Sequence, residues 1–349
     1  MNIKQNVNLS EFTSFGVGGP AENFALVKNS VELEEALRCT LPDTELWLLG
    51  YGSNSLISDR GLPGMIICTQ GGEIKVSGNE ITADAGVWWD DVVKKSIDNN
   101  LWGIELMSEI PGSVGGSVFI NITAYGQSLG PQIKWVKVWD RKISETRILE
   151  KAELTWDYKN SIFQKSENEH LIILQVCIEL SSVPKDEVTY QKALDVAEEL
   201  GLDLNSLDGR RETIIEARKR AGSLWHPNQD YNRTAGSFFR NPKLTQQQAD
   251  TVMKYDESGK TKAELKKMNQ VHGGDQRRVS AAHVMLAAGF KRGQTWGKVK
   301  LNDQNLLKIE ALPGASAQDI FDVVRLIQTE VKKKLDINLE PEARILGVF

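Results

Sequence analysis

The chain has 349 residues, 40% hydrophobic and 26% charged, with a formal net charge of −5 at pH 7. That length buries a large core and favours two or three domains, while the acidic balance leaves no basic face to neutralise nucleic-acid phosphates. No apolar run reaches the length of a bilayer span, and residues 1–7 carry no apolar leader core, so neither membrane nor nucleic acid is an expected partner and the cytoplasm is the expected compartment.

In chain order, residues 30–40 set acidic and apolar side chains at helical spacing and predict a helix with Ser30 as N-cap, and residues 45–49 then turn strand-like. Residues 48–57 read as strand, turn, strand around Gly50-Tyr51-Gly52-Ser53-Asn54. The apolar runs 65–68 and 80–83 are broken by Gly71-Gly72 and Gly78-Asn79, which both suit hairpin turns. Residues 88–100 predict an amphipathic helix, and a second glycine stretch, Ile110-Pro111-Gly112-Ser113-Val114-Gly115-Gly116, follows. Residues 134–139 and 171–176 are strand candidates with residues 158–163 between them, which implies a mixed sheet with flanking helices. After Ser182 the texture changes: 190–200 and 207–221 read as charged helices, and the polar segment 225–234 marks entry to another domain. Beyond it lie a short apolar helix over 281–288 stopped by Gly289 and a strand over 306–309. A long amphipathic helix over 317–335 comes next, with Asp319, Asp322 and Glu330 toward solvent and Lys332, Lys333 and Lys334 complementing its dipole. These imply a further α/β unit and a terminal strand returning to the first.

The glycine stretches carry the chemistry. A missing Cβ admits positive φ and lets backbone N–H groups approach a bulky anion such as a pyrophosphate. An ordinary turn is the bland reading of either stretch alone, but two of them, both between β-type runs and neither opening a helix, point to a cofactor cradle. A Rossmann site is disfavoured because its glycines lead from strand into helix, and the absence of a Gly-Lys-Ser/Thr loop disfavours ATP or GTP. Cys39, Cys68 and Cys177 have neither metal spacing nor a pairing scheme and read as buried small hydrophobes. His226, His272 and His283 lack metal spacing; His283, in an apolar helix, reads as a satisfied core histidine. Trp225, His226 and Tyr231 suit stacking on a base and a packed loop equally.

An ordered set of segments resembles the UDP-N-acetylenolpyruvoylglucosamine reductase family nearly end to end. The set comprises residues 14–21 (Ser-Phe-Gly-Val-Gly-Gly-Pro-Ala), 50–54 and 110–116, then Asn121, residues 124–126, Tyr158, Ser161 and Phe163. It closes with residues 235–242 (Ala-Gly-Ser-Phe-Phe-Arg-Asn-Pro) and 339–344 (Leu-Glu-Pro-Glu-Ala-Arg). The resemblance implies an α+β chain: a two-part FAD-binding region of the vanillyl-alcohol-oxidase/PCMH type and a C-terminal α/β substrate-binding domain. Its divisions fall at 1–72 (with 336–349 returning to it), 73–225 and 226–335. It further implies a monomer with non-covalent FAD, and NADPH and UDP-N-acetylglucosamine enolpyruvate taking turns in one pocket during peptidoglycan precursor synthesis. Gly50, Tyr51, Gly52, Ser53, Asn54, Ser55, Ile110, Pro111, Gly112, Ser113, Gly115, Gly116, Asn121 and Tyr125 match cofactor-binding positions. Tyr158, Tyr190, Arg218, Asn241 and Gln304 match substrate contacts. Ser237 matches the proton donor, for which a helix or turn cap after Gly236 is the plain alternative. Glu342 matches a catalytic glutamate that holds a proton or hydrogen bond to the intermediate.

Lys159 departs from the family, which places arginine after the tyrosine matching Tyr158; lysine keeps the charge and loses the planar fork. A family lysine also falls here near Ala221, with Arg220 beside it. Two other readings follow from such drift: a related flavin oxidoreductase acting on another small molecule, or a nucleotide-binding protein without catalysis. Retention of both Ser237 and Glu342 argues against the second.

Overall fold

A computed structural model describes residues 2–41, 43–185, 187–227, 232–255, 261–263, 266 and 278–349. Its contacts divide the chain into two units: Met1–Val7, Ala21–Gly52 and Leu62–Tyr231 form the first, and Asn8–Pro20, Ser53–Gly61 and Asn232–Phe349 the second. The chain passes from one to the other inside the first glycine turn, between Gly52 and Ser53.

The first unit holds a four-stranded sheet in the order Lys4–Asn8, Pro20–Val27, Leu62–Thr69, Leu46–Leu49, with the last three parallel. Helix α1 (Ser30–Cys39) turns Leu33, Ala36 and Leu37 onto it at the i, i+3, i+4 spacing of a buried stripe. Its N-cap is Asn29 rather than Ser30: the Asn29 side chain accepts from Glu32 N at 2.9 Å, so the helix starts one residue earlier than the serine suggests. The second sheet is antiparallel, ordered Glu145–Glu150, Ile133–Asp140, Leu171–Glu179, Glu80–Asp84, Ile74–Ser77. Gly78 turns its last hairpin. Gly71 and Gly72 do not close a hairpin; they carry the chain from one sheet to the other. Helices α2 (Trp89–Asp98) and α3 (Val114–Ile120) bury Trp89, Val92, Val93, Val114 and Val118 with Ile81, Val136, Val138 and Val176 of this sheet. Helices α4 (Gln191–Leu200) and α5 (Leu207–Arg220) close the unit, Ala193 and Ile214 packing on Leu106.

The second unit is built on α8 (Ala317–Leu335), which follows α6 (Gln246–Met253) and α7 (Ala281–Ala287). Ser316 and Asp319 form a capping box, and the Asp59 carboxylate accepts from the N–H groups of Ala317 and Gln318 at 2.9 Å, a charge placed where the helix dipole favours it. Ile320, Val323, Val324, Ile327 and Val331 line its core face with Val299, Leu301 and Ile309. The small sheet beneath runs Thr295–Trp296, Val299–Leu301, Ile309–Ala311. Its third strand begins at Ile309, not Leu306, because Lys308 N still closes a turn on Asn305 O. The terminal strand Arg344–Leu346 pairs in parallel with Ser55–Ile57.

Of the cysteines, Cys68 and Cys177 are buried, but Cys39, at the end of α1, is exposed. Burial pushes the Cys68 thiol up to about 12.

Candidate functional site

In the first unit the two glycine stretches touch. A methyl group on Gly50 would stand 2.4 Å from Ser113 Oγ, so a side chain at position 50 would drive the stretches apart. Contrary to expectation, the second stretch opens a helix: Ser113 is the N-cap of α3, its hydroxyl accepting from Gly116 N at 3.2 Å. Gly115 seats that helix closely on the preceding segment, since a Cβ there would lie 3.0 Å from Ala85 Cβ. Val114 N donates to Val87 O and Gly115 N to Ala85 O, so the amides of Val114, Gly115 and Gly116 all donate inside the protein rather than outward to an anion.

One buried group is left unanswered nearby. Thr69 Oγ1 has no hydrogen-bond partner among the described residues, and it lies against Gly86, where a Cβ would meet it at 2.4 Å. Gly86 follows the Ala85 on which Gly115 packs. A buried hydroxyl in this condition costs about 1–3 kcal/mol, and a polar cofactor at the glycine stretches fits by answering it. Tyr51 packs edge-on against Trp88 with centroids 4.7 Å apart. Burial, then the charge of Asp91, raises its hydroxyl above the ordinary tyrosine value. Trp88 also packs with Trp225 and His226, while Tyr231 and His272 lie outside the described residues.

The loop into the second glycine stretch is held by charges that the sequence reading passed over. Asp90, fully buried on α2, takes two hydrogen bonds from Arg211 at 2.8 and 2.7 Å and a third from Glu109 N at 2.7 Å. Burial alone would raise its carboxyl. The Arg211 and Glu109 hydrogen bonds and the charges of Arg211 and Lys94 outweigh this and hold it well below the usual carboxylate range. Glu109 has a left-handed backbone, φ 58°, just before Ile110. Its carboxylate meets Arg211 at 3.2 Å and His226 Nε2 at 2.7 Å. The legible signal was Asp90 itself, an acid beside Trp89 and Val92 on the buried side of an amphipathic helix.

The other first-unit candidates occupy the far end of α3 and the α4–α5 pair. Asn121 ends α3 in the left-handed region, and its buried amide bonds Asp157 O, Gly130 N and the Ser128 hydroxyl, so its side chain organises the fold around the candidate site. Tyr158 and Lys159 form the tip of the hairpin between Trp156–Asp157 and Asn160–Ser161, with Lys159 at φ 52° and half-buried. Tyr125 and Tyr190 come together edge-on at 5.1 Å. Arg218 is buried; one nitrogen donates to Ser223 O at 2.6 Å, while Nε has no partner among the described residues. Arg220 is paired with Glu199 and Glu216 on an exposed face.

In the second unit the segment around Ser237 is threaded between two others. Ser237 forms an antiparallel bridge with Lys308, and Phe238 N donates to Leu307 O at 2.8 Å. On the other side Glu342 N donates to Phe238 O at 2.7 Å, and Phe239 bridges Pro341. Phe238 and Phe239 are buried beneath. Gly236 has φ 75° with open space where a Cβ would stand, and among the described residues the Ser237 side chain caps no helix: Ser237 sits in a bridged, non-helical segment. Within the same unit the Asn54 carbonyl accepts from Arg344 N and the Asn54 amide donates to Glu342 O. Asn241 Oδ1 accepts from Ala281 N at the start of α7, leaving its Nδ2 to donate elsewhere. Gln304 is exposed in the turn organised by Asn302. His283 is half-buried on α7 and, unlike the satisfied histidine expected, has no partner for Nδ1 among the described residues.

Two family models match the chain: an FAD binding domain over residues 21–142, and the C-terminal domain of UDP-N-acetylenolpyruvoylglucosamine reductase over residues 226–346. A UDP-N-acetylenolpyruvoylglucosamine reductase of Thermobifida fusca is 30% identical, the match covering 99% of both chains. One from Streptomyces coelicolor is 29% identical over 97% of this chain and 89% of its own. Among solved structures, the UDP-N-acetylenolpyruvylglucosamine reductase of Thermus caldophilus superposes with a TM-score of 0.67 at 22% identity, covering 99% of this chain and all of the other, a likeness of fold.

Proposed function

The chain belongs to the UDP-N-acetylenolpyruvoylglucosamine reductase family of FAD-dependent oxidoreductases, and we propose that it uses NADPH to reduce UDP-N-acetylglucosamine enolpyruvate to UDP-N-acetylmuramate in cytoplasmic peptidoglycan precursor synthesis. The observation that carries this reading is the side-by-side placement of the Ser237 and Glu342 segments, joined through Phe238.

FAD, when bound, supplies the hydride chemistry between NADPH and the enolpyruvyl double bond. Residues 50–55, Ile110, Pro111, Gly112, Ser113, Gly115, Gly116, Asn121 and Tyr125 would hold it, with the internal donors described above serving to fix the backbone rather than to bond the phosphates. The protein's own chemistry concerns the carbon that bears the carboxylate, where negative charge develops and a proton must arrive. Ser237 delivers that proton, because a hydroxyl fixed against a carbanion-like centre away from bulk water can act as an acid. Glu342 holds a proton or hydrogen bond on the substrate carboxylate, and the Lys159 cation stabilises the charge there. Tyr158, Tyr190, Arg218, Asn241 and Gln304 contact the substrate. Arg218 Nε and Asn241 Nδ2 are suitable donors. NADPH and the sugar nucleotide occupy one pocket in turn, within a monomer.

The test separates the half-reactions. Purified protein should be yellow and bleach with NADPH, and under anaerobic conditions the reduced flavin should reoxidise rapidly with the enolpyruvyl sugar nucleotide. Ser237→Ala should leave bleaching nearly intact and slow reoxidation by about 10²–10⁴-fold. Bleaching without reoxidation in the unaltered protein would favour a flavin oxidoreductase with another substrate, as the Lys159 departure allows.

A further inference from the structure

Two buried carboxylates of the first unit, Asp90 and Glu109, share one guanidinium, that of Arg211. The half-exposed Lys94 is divided between Asp90 at 3.2 Å and Asp91 at 3.7 Å, and Asp208 adds a further negative charge beside Arg211. Two carboxylates against one guanidinium leave one negative charge to be matched, and a buried charge is costly until it is. The gap lies at Glu109 Oε2, which is buried and takes no well-directed hydrogen bond among the described residues, while His226 Nε2 stands 2.7 Å from it. A contact this close without a directed hydrogen bond is held by charge, and the imidazolium form of His226 supplies it.

His226 also stands where both glycine stretches are joined. Its ring packs on Trp88 with centroids 5.7 Å apart; Trp88 meets the ring of Tyr51 in the first stretch and forms a backbone bridge with Ser113 in the second. Its partner Glu109, at φ 58°, directly precedes Ile110, where the second stretch begins. That left-handed conformation persists because its surroundings hold it. Resting on the reading that residues 50–55 and 110–116 hold FAD, we propose that charged His226 is a positioning residue for the 110–116 loop, so that the protein retains its flavin more tightly in mildly acidic than in alkaline solution.

The groups around this set leave His226 as the one whose charge changes near neutral pH. Despite burial, the hydrogen bonds of Arg211 and Glu109 N hold Asp90 well below the usual carboxylate range, and Asp90 raises Arg211 against its own burial. Burial raises the Tyr51 hydroxyl. The other charged groups are the carboxylates of Glu109, Asp91 and Asp208 and the Lys94 ammonium; side chains of these classes change charge far from neutral pH, whereas imidazole does so close to it. As pH rises, the imidazolium gives its proton to solvent, Glu109 Oε2 is left against a neutral ring, and the hold on the loop weakens. As pH falls the proton returns and the hold is restored.

The test measures FAD release from the loaded protein, by flavin fluorescence after dilution, at about pH 6.5 and about pH 8.5. Release from the unaltered protein should be about fivefold faster at the higher pH, the size of one partly exposed ion pair. His226→Gln keeps a polar side chain without the charge and should release FAD at one rate at both values, matching the unaltered protein at the higher pH. Glu109→Gln removes the carboxylate that needs the charge and should flatten the profile too. In the double variant the two changes should not add, because either alone abolishes the pair. A flat profile in the unaltered protein would overturn the proposal. So would a profile that survives in His226→Gln or in Glu109→Gln, or effects of the two variants that simply add, which would mark His226 as packing alone. The two readings fail differently: protein that takes up no FAD at either pH refutes the cofactor reading and this proposal with it, whereas protein that binds FAD with the same retention at both values loses only the role given to His226.

Discussion

Arg211→Met removes the partner of a fully buried carboxylate, and its cost is calculable from the geometry. Asp90 loses two charge-assisted bonds of 2.8 and 2.7 Å and retains only Glu109 N and Lys94, whose half-exposed ammonium stands 3.2 Å away. Stripping one partner from a buried pair costs about 3–5 kcal/mol, and the exposed lysine returns no more than about 1 kcal/mol, which leaves about 3 kcal/mol. At about 2–4 °C per kcal/mol, melting should fall by about 6–12 °C. The pH dependence gives the sharper check. In the unaltered protein the folded Asp90 carboxyl lies below its unfolded value, so its contribution is complete above the unfolded value and disappears as pH falls through the folded one. Without Arg211, burial reverses the shift; the carboxyl then titrates above its unfolded value, and the penalty at pH 7 is relieved as it takes up a proton. The deficit measured by urea unfolding should therefore shrink between about pH 7 and pH 4, and Asp90→Asn combined with Arg211→Met should be less damaging than Arg211→Met alone. A deficit below about 1 kcal/mol, or one unchanged by acid, would refute the reasoning. FAD retention should fall too, because Arg211 also holds the carboxylate of Glu109, whose left-handed conformation before Ile110 costs about 1–3 kcal/mol.

Three more outcomes follow. Gly50→Ala places a methyl group 2.4 Å from Ser113 Oγ, so the purified variant should carry less flavin per protein, by absorbance, and lose about 1–3 kcal/mol of stability; full flavin content with unchanged melting would contradict the contact. Thr69→Val deletes a buried unanswered hydroxyl at constant shape and should stabilise the FAD-free protein by about 1–2 kcal/mol while weakening FAD retention; unchanged flavin affinity would show that the cofactor does not answer that group. Lys159→Arg should preserve or raise turnover and Lys159→Met should depress it strongly, and a fully active methionine variant would remove Lys159 from the reaction.

The mixed sheet with flanking helices and the glycine turn at 50–54 were legible because they rest on local rules, while the fold class came through the family resemblance. Alternation announced the strands, 3.6-residue periodicity announced α1, α2 and α8, and Gly78 announced its hairpin. The errors arose where a local rule had two outcomes. Gly71-Gly72 has the chemistry of a hairpin and serves as a link between sheets, and Ser113-Val114 opens a helix because the Ser113 hydroxyl caps it despite two glycines in the first turn. Ser237 and Glu342 are candidates through the family pattern. The bridge that sets Ser237 against Lys308 joins segments far apart in the chain, and no local rule announces it. Arg211 and Asp90 are 121 positions apart, and no periodicity links them.

The two units anchor their candidate residues by different means, and the difference has kinetic consequences. In the first, the 110–116 loop depends on buried charges: Asp90 fixes Glu109 N, Arg211 fixes both carboxylates, and His226 closes the set. Weakening such a network moves a loop rather than a reacting group, so its substitutions should impair flavin binding and depress both half-reactions together. In the second, Ser237 and Glu342 are held by main-chain bonds to residues 307, 308 and 340–342, which side-chain replacement leaves in place. On the proposed roles, Ser237→Ala or a change at Glu342 therefore removes one group from an intact frame, and its effect should fall on the proton-transfer half-reaction alone. A substitution in the Asp90–Glu109–Arg211 network that spared flavin binding, or one at Ser237 that depressed both half-reactions, would mean that its residue had been given the wrong task.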